Sequence, residues 1–204
     1  MANLIFFDEG HRYTVDGVEV PSVSEVTRFL AREVYSDVNQ TALDAAATRG
    51  TNVHKATEAL DKFGQVEVDD EALPYLKAYV AFRKEQNPEW EKIEWPVNNG
   101  LLYAGTIDRY GLLGDRHVIL DIKTTARIDR PHKVVYTAAQ NLYRMAIQEK
   151  HAVDAIVILQ LKKDGTYKMI ELEVQDELAN ACLTMHQAFM KRKKMKGDTQ
   201  HDQD

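Results

Sequence analysis

Between His117 and Thr124 the chain reads Val118-Ile-Leu-Asp121-Ile-Lys123, an apolar run that ends in two charges of opposite sign. Val118 to Leu120 are too apolar for a surface strand, so this segment predicts a buried strand and hence a sheet covered on both faces. Side chains alternate along a strand, which sets Asp121 and Lys123 about 7 Å apart on one face and turns Ile122 to the other. Upstream, Tyr103-Ala-Gly-Thr-Ile-Asp108 reads as part of a neighbouring strand that can bring Asp108 alongside. Two converging carboxylates repel each other unless a cation neutralises them, and oxygen donors with open water positions suit Mg2+. The competing reading is a surface Asp121–Lys123 pair, which would be worth little.

The rest of the chain supplies the cover. Leu4 to Phe7 and His11 to Val20 read as short strands around an Asp16-Gly17 turn, and Ser22 and Glu25 are spaced as a capping box. Gln40 to Phe63 is alanine-rich and predicts one long helix or two consecutive ones, with a weak or closely packed point at Gly50. A further helix is expected from about Asp70 to Gln86, with Pro74 in its first turn and Pro88 beyond its end. Then the period changes. Glu91–Val97, Leu101–Leu113 and His117–Thr124 predict three strands joined at Asn99-Gly100 and Gly114-Asp115. Pro131 to Lys150 has a helical stripe, Ala155–Leu161 and Tyr167–Val174 form a strand pair, and a helix from Glu177 to about Lys194 closes the chain. The order αβββαβ predicts an α/β fold, a mixed central sheet flanked by helices, with residues 1–38 as a small hairpin-and-helix embellishment, 40–175 as the core and 176–196 as the last helix of a single domain.

Composition excludes several classes. At 204 residues, 44% of them hydrophobic, the chain can bury a sizeable core, and no apolar run approaches a membrane helix. Its start shows no basic segment followed by an apolar stretch, which predicts a cytosolic protein. The lone Cys182 excludes an internal disulfide and a four-cysteine iron–sulfur cluster, and predicts a small core residue on the last helix. A net charge of −6 argues against a general nucleic-acid binder, but Lys123, Arg127, Arg130, Lys133, Arg144 and Lys150 make the region after Asp121 locally basic. An acidic pocket within a basic rim suits a metal-dependent nuclease. The basic run Lys191–Lys196 reads as a solvated helix end, and residues 197–204 as a frayed tail.

Two further constellations carry chemistry. In Arg49-Gly-Thr-Asn-Val-His54-Lys-Ala-Thr-Glu58, His54 and Glu58 share a helix face, and Gly50 would let that face approach another backbone. An imidazole added to a carboxylate site shifts preference from Mg2+ toward Mn2+. Glu58 is expected to orient the His54 ring. On the helix after Lys123, the side chains of Lys133, Tyr136, Gln140, Tyr143 and Arg144 fall largely outside the apolar stripe and could donate to phosphates or stack on bases. An ordinary polar helix face would read the same way.

Together, Gly50-x-x-x-His54-x-x-x-Glu58, Gly105-Thr-Ile-Asp108, Asp121-Ile-Lys123 and Gln140-Asn-Leu-Tyr143 resemble the PD-(D/E)XK nucleases, in particular their RecB-like exonuclease branch. His11-x-Tyr, Asp16-Gly and Val20-Pro-Ser-Val23 resemble the opening of phage exonucleases in that branch. The resemblance implies a restriction-endonuclease-like core. It implies a metal, Mg2+ or Mn2+, held by His54, Asp108, Asp121 and the Ile122 carbonyl, Lys123 beside the attacking water, and DNA contacts from Gln140 and Tyr143, with Tyr136, Arg144, Lys133 and Arg49 as further candidates. The implied function is DNA exonuclease activity leaving 5′-phosphates in recombination, repair or processing, with DNA ends and a recombination protein as partners and no membrane. An endonuclease on the same core, or a silent DNA-binding module, are the alternatives. Gln140 and Tyr143 stand three apart, where the branch usually spaces this pair by four.

Overall fold

The computed structural model describes residues 3–198, with side chains described up to residue 190. Two sheets organise the chain. The first is antiparallel, ordered β1 (Leu4–Phe7), β2 (Arg12–Val15), β3 (Val18–Val20). Its β2–β3 turn has positive φ at both Asp16 (51°) and Gly17 (81°), the conformation that matches the twist of two-residue hairpins. The expected antiparallel hairpin around Asp16-Gly17 is present, with β1 paired to its outer side.

Next come α1 (Val23–Val26) and α2 (Arg28–Tyr35), the first opened by the expected capping box, in which the Ser22 hydroxyl accepts from Glu25 N–H and the Glu25 carboxylate accepts from Ser22 N–H. The long helix α3 (Gln40–Phe63) is continuous through Gly50 and stops where Gly64 turns left-handed. A Cβ at Gly50 would sit 3.9 Å from Thr124 Oγ1, an ordinary contact, so no close backbone approach demands a glycine there. Helix α4 (Leu73–Gln86) takes Pro74 in its first turn, where the missing N–H costs nothing.

The second sheet has five strands in the order β4 (Glu89–Asn98), β5 (Ala104–Leu113), β6 (Arg116–Lys123), β7 (Ala155–Leu161), β8 (Tyr167–Leu172). All neighbours are antiparallel except β6 and β7, whose parallel pairing is bridged by α5 (Arg130–Ile147). Helix α6 (Asp176–Asp198) follows β8. The fold is therefore a mixed α/β sheet flanked by helices, in the expected αβββαβ order.

Alternation on β6 divides the core. Val118, Leu120 and Ile122 pack with Val53 of α3 and with Tyr75, Tyr79 and Phe82 of α4, whereas Ile119 packs with Ile107, Tyr110 and Ile147 on the α5 side. Each such fully buried aliphatic side chain contributes about 1.5–3 kcal/mol. Asp121 and Lys123, in phase with Ile119, project toward α5. Cys182 is buried on α6 against Val23, Val26, Ala138 and Leu142. Through α1 in that cluster, the N-terminal segment packs onto α5 and α6. The expected frayed tail falls largely outside the described residues, and so do the side chains of the basic run 191–196.

Candidate metal and nucleic-acid site

The β5–β6 ladder stops at the pair Arg109–Leu120. One residue further, Asp108 Oδ2 accepts the Ile122 N–H at 2.7 Å, so a side chain takes the hydrogen that strand pairing would otherwise use. The sheet splays here at the C-terminal end of β6, and a cleft of about 790 Å³ opens beside it. His54, Glu58, Glu94, Asp108, Asp121, Lys123, Tyr136, Gln140 and Tyr143 all line this cleft. The N-terminal segment forms another wall through Phe6, His11 and Thr27.

Within the cleft the predicted residues divide into two groups. On the α3 side, one ring nitrogen of His54, Nε2, lies 3.0 Å from the Ile122 carbonyl. A carbonyl can only accept, so Nε2 carries the hydrogen and Nδ1 presents a lone pair. That lone pair faces Asp108 Oδ2 at 3.4 Å and Glu94 Oε1 at 4.0 Å. His54, Glu94 and Asp108 each offer an atom within 4.8 Å of the others. Three acceptors converging without a donor between them are mutually repulsive unless a proton or a cation lies among them. The donor set, two carboxylates and an imidazole, fits a divalent ion of the Mg2+ or Mn2+ type.

On the α5 side, Lys123 Nζ pairs with Asp121 Oδ2 at 2.6 Å and lies 5.4 Å from the centre of the Tyr136 ring. Gln140 Nε2 donates to Asp121 Oδ1 at 2.9 Å. Charges in the cleft are tuned by one another. Burial, reinforced by the Asp108 charge, pushes the Glu94 carboxyl up to about 7. Burial also raises Asp121, against the pull of Lys123. For Lys123 burial works toward deprotonation, yet the Asp121 and Asp108 carboxylates outweigh it and hold the ammonium above its ordinary range.

Several expectations change. Glu58 does not orient His54: its carboxylate accepts from Lys62, one turn on, at 2.6 Å, and the Ile122 carbonyl sets the ring instead. That carbonyl, expected as a metal ligand, accepts from His54 and keeps a second lone pair. Gln140 is 3% exposed and spends its amide N–H on Asp121, which leaves its Oε1 buried without a partner. Tyr143 lies against Gly105, where an added Cβ would stand 2.6 Å from Cε1, and burial raises the pKa of its hydroxyl. Tyr136 is buried. Arg144 is tied to Asp176 and Gln148 at the other side of α5, and Arg49 pairs with Glu71 at 3.4 Å over the Tyr75 ring. Lys133 is exposed, and none of Lys133, Arg144 and Arg49 lines the cleft.

Glu94 and Arg109 were not anticipated. Glu94 sits on the edge strand β4 between Ile93 and Trp95, where alternation reads it as solvent-facing. Its φ of 47° is left-handed, a conformation costing a non-glycine residue about 1–3 kcal/mol, and it re-aims the carboxylate into the cleft. Arg109 is fully buried. It donates to Asp61 Oδ2 (2.7 Å), Glu94 Oε1 (3.1 Å), Thr57 Oγ1 (3.2 Å) and the Asp108 carbonyl (2.7 Å). The only hint in the sequence is an arginine one residue after the candidate aspartate.

No protein-family model and no curated protein matches the sequence. Among solved structures, the chain is similar to an alkaline exonuclease from Laribacter hongkongensis at 14% identity and a TM-score of 0.41, over 87% of this chain and 91% of that one. It is also similar to a phage-related exonuclease from Haemophilus somnus 129PT at 12% identity and a TM-score of 0.45, over 85% and 96%. The Laribacter enzyme in complex with dAMP is similar at 15% identity and a TM-score of 0.40, over 88% and 94%.

Proposed function

We propose that this chain is a divalent-metal-dependent DNA nuclease of the PD-(D/E)XK type, acting as an exonuclease that leaves 5′-phosphates. The observation that carries the reading is the convergence of His54, Asp108, Asp121 and Lys123, distant in sequence, on one cleft at the splayed end of β6. Bound beside these residues, a divalent ion supplies Lewis acidity toward a phosphoryl oxygen.

The protein's own groups do the rest. His54 and Asp108 offer donors for the ion from the α3 side, and Asp121, fixed by Gln140 and Lys123, offers another from β6. Lys123 stays protonated beside two carboxylates, so it orients an attacking water and offsets negative charge on the phosphate instead of acting as a base. Attack in line with the 3′ oxygen expels that oxygen and leaves the phosphate on the 5′ side. Among the described residues no helix is long and apolar enough to cross a membrane. Arg127, Arg130 and Lys133, exposed around the start of α5, supply positive charge for a phosphate backbone.

End-labelled single-stranded, blunt and overhanging DNA, digested by the purified protein in Mg2+ and in Mn2+ alongside closed circles, tests this reading. Degradation of linear DNA with circles spared supports an exonuclease. Cutting of circles turns the assignment to an endonuclease, and binding without turnover in either metal turns it to a silent DNA-binding module.

A further inference from the structure

The Arg109 network buries a guanidinium at the back of the cleft, and a buried cation persists only where its donors are matched by acceptors. Three of its four acceptors belong to the scaffold: Asp61 and Thr57 on α3, and the Asp108 main-chain carbonyl. Asp61 is itself held by the Tyr79 hydroxyl at 2.5 Å and by Arg83 at 3.2 Å. The fourth acceptor, Glu94 Oε1, also faces His54 Nδ1. Glu94 is thus drawn out of the edge strand's solvent face by a left-handed backbone and anchored from behind by Arg109. Its oxygen points at the lone pair of an imidazole that is itself locked by the Ile122 carbonyl.

We propose that Glu94 is a side-chain ligand of the divalent ion, together with His54 and Asp108, and that Arg109, braced by Asp61, is the positioning residue that holds it in place. Glu94 thereby adds β4 to the elements that offer donors to the ion, α3, β5 and β6, and Lys123 faces the substrate side. Arg109 touches neither ion nor substrate. It acts through Glu94, because one guanidinium fixes both the Glu94 oxygen and the Asp108 peptide and so sets the gap between the two carboxylates. This assignment deepens the nuclease reading and rests on it for the identity of the reaction, but metal binding is measured without DNA.

Calorimetric titration of the full chain with MnCl2 tests it. Glu94→Gln keeps an acceptor for Arg109 and removes the charge, and we expect it to weaken Mn2+ binding at least about tenfold while thermal melting without metal is retained. Asp61→Asn leaves the ligands intact and should weaken binding about three- to tenfold. In the Glu94→Gln background it should have little further effect, since Asp61 works through Glu94. If Asp61→Asn does not fold, Thr57→Ser, which keeps the hydroxyl, serves as control for Thr57→Val, which removes the Nη2 acceptor of Arg109 together with a hydrogen bond to the His54 carbonyl, and the pair takes its place in the cycle. Wild-type affinity in Glu94→Gln, or no Mn2+ binding by the wild type, overturns the ligand assignment. Full additivity of the two substitutions overturns the positioning role. Mn2+ binding that depends on Glu94 in a protein that leaves every DNA substrate intact would keep this inference and remove the nuclease reading.

Discussion

Gln140 donates its amide hydrogen to Asp121 across 2.9 Å, so the glutamine that the motif assigns to DNA is first of all a clamp on a carboxylate of the cleft. With the whole side chain 3% exposed, the second Nε2 hydrogen and the unpartnered Oε1 are what remain to meet anything else. Gln140→Leu should lower the rate of DNA cleavage at saturating substrate by about 10–100-fold with little change in half-saturating concentration. Steady-state kinetics on an end-labelled strand separate the two. A rise in half-saturating concentration at unchanged maximal rate would mark a direct strand contact.

Lys123 lies between Asp121 and the face of Tyr136, and its ammonium is held above the ordinary lysine range. A charge-stabilising role survives replacement by another cation, whereas a base role does not, because a guanidinium does not deprotonate. Lys123→Arg is therefore expected to retain more activity than Lys123→Gln, and Lys123→Gln to lose at least about 100-fold. Equal loss in both, measured at pH 8 in Mn2+, would return Lys123 to the role of base.

Asp61 and Arg109 are 2% and 0% exposed at their side chains, and each compensates the other. Removing one partner of a buried pair strands a charge, at a cost of about 3–5 kcal/mol. Urea unfolding of Arg109→Met should show a loss of that size. A midpoint within error of wild type would mean that Asp61 is satisfied by Tyr79 and Arg83 alone.

Two glycines on β5 predict contrasting outcomes. At Gly111 a Cβ would fall 2.2 Å from the Glu89 carbonyl oxygen and 2.8 Å from Glu91 N, both main chain beside the β4 bulge. Gly111→Ala should destabilise by about 3 kcal/mol, and no side-chain change nearby should restore it. At Gly105 the obstacle is the tip of the Tyr143 ring. Gly105→Ala should cost about 1–3 kcal/mol, and Tyr143→Leu in the same background should recover part of it. Thermal melts of the single and double variants measure both.

Much of the architecture was legible in advance because its signals are local. The change from helical to alternating periodicity near residue 89, the Asp16-Gly17 turn, the Ser22–Glu25 cap and Pro74 at a helix start each act within a few residues, and the strands and helices stand where they indicate. Alternation on β6 likewise set Asp121 and Lys123 on one face. The roles of neighbours were less legible. Glu58 sits four residues from His54, yet its carboxylate has a closer cation in Lys62, and local spacing cannot rank such competitors.

Periodicity and turn chemistry, which depend on neighbours in the chain, were thus enough to indicate an α/β sheet carrying Asp108, Asp121 and Lys123 and a helix carrying His54. They could not reveal that β5 and β6 part at Arg109–Leu120, that the Ile122 main chain serves both His54 and Asp108, or that Glu94 turns inward to meet a buried Arg109. Those hydrogen bonds join residues 14, 15 and 68 positions apart, and the meeting of Glu94 with Arg109 depends further on a left-handed backbone at one edge-strand residue. Burial decides them. A guanidinium shut away from water must find its acceptors wherever the packed elements place them.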